Sequence, residues 1–211
     1  MDGRFAKMFD EWFMEMTPQE KRLAELVYEY EEKYFADFCF KPESIIEPFV
    51  EYKRKHPANG EWVKNRVTLP YEITSLAYSY YRMKVEELDE GVGGMTNVKD
   101  RVIIIPPNNI DRKNIVLHEM IHAYLAVLCK SFFSHHREVL FFCLYKDLLR
   151  KIPELDERIM FHSCEVNRNR IERRGGEHGI LFLLKSLDLD LKCGFKLGTV
   201  CGNGHDEFGK Q

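Results

Sequence analysis

The chain has 211 residues, 45% of them hydrophobic and 31% charged, which is enough for one large domain or two small ones around a real core. A formal net charge of −3 excludes a protein that coats nucleic acid through bulk charge. Only local basic patches remain, one of Lys53, Arg54, Lys55, Lys64 and Arg66 and another of Arg168, Arg170, Arg173 and Arg174.

No apolar run is long enough to span a bilayer, and residues 1–13 lack the apolar core of a signal peptide. The six cysteines (Cys39, Cys129, Cys143, Cys164, Cys193 and Cys201) form no CxxC pair, and several sit inside apolar helical stretches. That pattern reads as reduced thiols in an intracellular protein, cytoplasmic or nuclear, with no membrane partner. Cys193, Cys201 and His205 are too loosely spaced to make a good second metal site.

A first helix is expected over residues 5–16. Thr17-Pro18-Gln19-Glu20 then writes a capping box with proline at the first helical position. It opens a long helix to about Phe38, with Leu23, Leu26, Val27, Tyr30, Tyr34 and Phe38 at helical spacing. A shorter helix is expected over 43–55, stopped by Pro57 and the Asn59-Gly60 turn, and another over 71–87 after Pro70. The one clear strand is 101–105, three consecutive isoleucines bounded by Pro106-Pro107-Asn108-Asn109. Those flanking residues suit an edge strand better than a central one. Asp111 is a candidate N-cap for a helix running to about Lys130. Helices over 137–151 and 153–174 follow, then one over 178–187, a short strand within 192–200, and a polar tail from Gly202. Helix dominates over a small sheet, so the class is α+β.

The helix after Asp111 carries the chemistry. His118-Glu119-Met120-Ile121-His122 places two imidazoles at i and i+4, one above the other on a single helical face, within reach of one metal ion. Glu119 stands beside them, where a carboxylate can take a proton from water activated by zinc. From 115 to 129 it is the only charged residue in an almost wholly apolar helix, a costly position for a carboxylate without a partner.

A catalytic zinc needs three protein ligands and an open position. Leu125 and Leu128 stand where the extended metzincin pattern requires Gly and His, so that pattern is excluded. Three sources of the third ligand remain: His178 after Gly175-Gly176, His135 or His136 just beyond the motif helix, or a carboxylate such as Glu165 or Glu172.

The segment Val116-Leu117-His118-Glu119-Met120-Ile121-His122-Ala123-Tyr124-Leu125 resembles the active-site helix of SprT-like metalloproteins, the family that includes Spartan. Gly94-Met95-Thr96 followed by the strand at 101–105 resembles the family's layout before that helix. His178-Gly179-Ile180-Leu181-Phe182 resembles its third-ligand pattern, His-Gly-x-x-aromatic at the start of a helix. The likeness covers about 93–130 and 175–200.

It implies a single helix-rich zincin domain over 1–211. Its parts would be a helical N-terminal part (1–90), the strand and HExxH helix (91–130), a helical insertion (131–174), and the third-ligand loop, helix and strand (175–200). The insertion is a departure, because 55 residues, 123–177, separate His122 from His178. The resemblance further implies a Zn²⁺-dependent metallopeptidase with His118, His122 and His178 as ligands and Glu119 as the catalytic base. Its substrates would be proteins or peptides, including proteins bound or crosslinked to DNA. Read from the residues, the Arg168–Arg174 cluster is either a guide for DNA or an acidic substrate or the solvated end of a helix. Two rival readings are a non-catalytic zinc-binding scaffold and a hydrolase acting on something other than protein.

Overall fold

The structure is a computed structural model, and it describes residues 13–35, 81–130, 136–155 and 178–202. The expected helix at 43–55, residues 71–80 of the helix expected over 71–87, most of 153–174 and of 5–16, and the polar tail beyond Gly202 fall outside these residues. So do His135, Glu165, Glu172, His205 and both basic patches.

Helices surround a small three-stranded mixed sheet, an α+β arrangement. Helix α1 (Pro18–Tyr34) starts as the capping box predicts. The Thr17 side chain accepts from the Glu20 amide at 3.2 Å, and Glu20 Oε2 accepts from the Thr17 amide at 2.7 Å. The helix stops at Phe35, a turn short of Phe38. Its buried face, which includes Leu23, Leu26 and Val27, packs toward the sheet.

Strand β1 (Arg82–Val85) stands where the last part of the helix expected over 71–87 was placed. The reason is non-local. Arg82 to Val85 pair in parallel with Val102 to Ile105, and Met83 turns into the core opposite the fully buried Ile103. Four residues can satisfy helical spacing locally and still go to the sheet when a partner strand offers its free ladder.

Strands β2 (Met95–Asn97) and β3 (Val102–Ile105) pair antiparallel, giving the order β1-β3-β2. The isoleucine strand is therefore central, not an edge strand. Pro106 and Pro107 follow the strand instead of interrupting it, so they remove no ladder donor. The edge next to β3 is β2, which was not foreseen as a strand of its own.

A short 3₁₀ turn (Pro107–Asn109) leads to α2 (Lys113–Lys130), the helix of the motif. The Arg112 carbonyl accepts from Ile115 and Val116, so the cap lies at Arg112 and not at Asp111. Helix α3 (His136–Lys151) packs on α2 and on α4 (Ile180–Cys193) through Leu140, Leu144 and Leu148. This part of the expected insertion is thus built into the core.

Helix α4 is buried along all of 181–190 and runs on through Cys193, where a strand was expected. Gly194, at φ 69°, closes it in the left-handed conformation, which a glycine adopts without steric cost, and turns follow to Val200. Among the described residues no helix is long and apolar enough to cross a membrane.

Candidate metal centre

His118 and His122 lie on the same face of α2, and His178 stands two residues before α4 begins. The fold brings the three together. His178 Nε2 is 3.2 Å from His118 Nε2 and 3.2 Å from His122 Nε2. Three nitrogens at about 2.0–2.1 Å from a tetrahedral ion stand about 3.3 Å apart, so the spacing fits one metal held by all three rings. Among the described residues this is the one group of three or more His, Cys, Asp or Glu placed to hold an ion. Cys193 and Cys201 are free thiols outside it. His136 is the first residue of α3.

The rings are held in the state a metal needs. His118 Nδ1 lies 2.8 Å from the Val200 carbonyl oxygen. A carbonyl can only accept, so Nδ1 carries the proton and Nε2 turns its lone pair to the cluster. Burial pushes the His118 pKa down, against the pull of that hydrogen bond. Burial, then the neighbouring His118 and His178, bring His122 down to about 3. Both rings are therefore neutral near pH 7 and able to ligate.

Phe182 supplies an apolar wall. Its fully buried ring is 4.9, 4.7 and 4.5 Å from the ring centroids of His118, His122 and His178. The aromatic of the His178-Gly179-x-x-Phe182 pattern thus touches every member of the cluster.

Glu119 is buried, with 5% of its surface exposed. Thr96 on β2 meets it twice, Oγ1 lying 2.8 Å from Glu119 Oε2 and 2.9 Å from the Glu119 main-chain oxygen. Thr96 has one hydroxyl proton. It can donate fully to one of these oxygens, and a proton on Oε2 lets Glu119 donate the other bond.

Gly94 makes that approach possible. A Cβ there would lie 2.8 Å from Glu119 Cγ and 2.9 Å from Ile105 Cδ1. The strand entry is held in turn by Asn109, whose Nδ2 donates to the Gly93 carbonyl at 2.9 Å.

Thr96, Asn109, Phe182 and Val200 complete a site that the motif alone left as three residues. Phe182 and Thr96 were visible as members of segments that carry the resemblance, though Thr96 had no role assigned, whereas Val200 carries no local signal. Comparison with known proteins adds no name to this geometry, since no protein-family model, no curated protein and no solved structure matches the chain.

Proposed function

We propose that the chain is a zinc-dependent metallopeptidase of the SprT-like kind, with a zincin fold, His118, His122 and His178 as ligands and Glu119 as general base. The observation that carries the reading is the buried Glu119 carboxylate held by Thr96 beside three convergent imidazoles. A purely structural metal site has no use for a base held there.

When bound, zinc supplies Lewis acidity, lowering the pKa of a water in the open position and polarising a substrate carbonyl. Glu119 would take the water's proton and later deliver it to the leaving amine. Thr96 would donate to Glu119 Oε2 and hold the carboxylate in place while the proton moves. Phe182 keeps water from the inner side of the imidazoles. An extended peptide would pair with β2 and not with the central β3, because β2 is the strand of the described sheet that borders Glu119.

The test is Glu119→Gln, which keeps shape and removes the base. The variant should retain zinc and fold, and lose at least about 100-fold in hydrolysis of a protein substrate, assayed with and without single-stranded DNA. Equal turnover in parent and variant would remove Glu119 from the mechanism. Tight zinc binding with no hydrolysis by the parent in any assay would favour the scaffold instead.

A further inference from the structure

His118 depends on a carbonyl that the fold has to place. Val200 belongs to the turns after α4, and its oxygen is the partner of His118 Nδ1. The chain passes close over that ring, since a Cβ on Gly202 would sit 3.5 Å from His118 Cε1. What holds the turn is Asp190, a carboxylate near the end of α4 with no solvent exposure. Its Oδ1 accepts from the Val200 amide at 2.9 Å and its Oδ2 from the Gly198 amide at 2.7 Å. One residue, Val200, therefore receives the carboxylate on its N–H side and presents its carbonyl to the imidazole.

A buried carboxylate that spends both oxygens on main-chain amides of one turn fixes that turn's position and orientation. We propose that Asp190 is a positioning residue for the metal centre. Through the 198–200 turn it aims the Val200 carbonyl at His118 and sets that ring as the Nδ1–H tautomer before an ion arrives. The inference rests on the metal-centre reading but not on catalysis. Groups behind a metal ligand commonly change metal affinity 10- to 100-fold when removed, by orienting the ligand and fixing its tautomer.

Asp188, two residues earlier on the same helix, provides the control. It bonds Lys185 at 3.1 Å and Lys192 at 2.7 Å, away from the turn. Zinc affinity of the full chain, measured by chelator competition, should fall about 10-fold or more in Asp190→Asn. Asp188→Asn should lower the unfolding midpoint and leave zinc affinity within about twofold. In ¹⁵N spectra of the zinc-free parent, His118 should show a protonated Nδ1, and Asp190→Asn should convert it to a mixture of tautomers.

Zinc bound by the parent with equal affinity in folded Asp190→Asn would overturn this inference alone. A parent that takes up no zinc would overturn the metal-centre reading and this inference with it. Should Asp190→Asn fail to fold, the parent spectrum decides: a slowly exchanging Nδ1–H on His118 upholds the proposal, and an Nε2–H tautomer overturns it.

Discussion

Lys185 on α4 donates to the main-chain oxygen of Tyr34, the last residue of α1, at 2.7 Å. The Lys185 side chain is wholly buried, its Nζ is 3.1 Å from Asp188 Oδ2, and it lies 4.8 Å above the Phe35 ring and 5.8 Å from that of Tyr124 on the motif helix. A cation here satisfies a carbonyl at the negative end of α1 and joins that helix to α2, which carries His118 and His122, and to α4, which His178 precedes. Lys185→Ala should cost about 3–5 kcal/mol in urea unfolding, because it strips a buried carboxylate and a helix-end carbonyl of a partner and leaves a cavity. A loss below about 1 kcal/mol would show that the ammonium contributes little.

Gly94→Ala should separate the base from the metal. The added methyl has Glu119 Cγ and Ile105 Cδ1 within 3 Å, and a packed core side chain such as Ile105 yields poorly. Zinc content should stay at the parent level, since the ligands lie elsewhere, while hydrolysis falls about 100-fold. Thr96→Val, which removes the hydroxyl at nearly constant volume, should fall about tenfold, and Thr96→Ser should recover most of it. Zinc assays beside turnover would show whether the two properties separate in this way.

How much of this was legible in the sequence follows from how local each signal is. The capping box at Thr17, the isoleucine strand and the His118–His122 spacing are written in neighbouring residues, and each appears where it was expected. His178 was one of three candidates on the residues alone and was singled out through a resemblance, because 55 residues part it from His122 and no periodicity spans that gap. β1 was missed because its strand character comes from Ile103 and Ile105, about twenty residues away. The centrality of β3 is not legible from its flanking prolines, because proline bars a central strand only where it occupies a ladder position. Lys185, Asp188 and Asp190 could have been flagged. A charged residue in an apolar helix is what singled out Glu119, and the same reasoning applies to α4, buried along all of 181–190.

Stability should depend on pH through Glu31 on α1. It is 7% exposed, and its Oε1 has no hydrogen-bond partner among the described residues. Burial, then the neighbouring Glu32, pushes its pKa from 4.5 up to about 8. The native state thus binds this proton more tightly than the unfolded chain. The contribution to stability is full below about pH 4.5 and is lost as pH rises through about 8, with a slope of at most about 1.4 kcal/mol per pH unit. Glu31→Gln should flatten the curve over this window and be the more stable form near about pH 9. Parallel stability–pH curves for the two proteins would remove Glu31 as the cause.

The central claim is that His118, His122 and His178 hold one ion together, and zinc stoichiometry tests it most directly. Elemental analysis of the purified parent should give about one zinc per chain, and His118→Ala, His122→Ala and His178→Ala should each lose nearly all of it while remaining folded. Full zinc in His178→Ala, or none in the parent after reconstitution, would contradict the three-histidine centre.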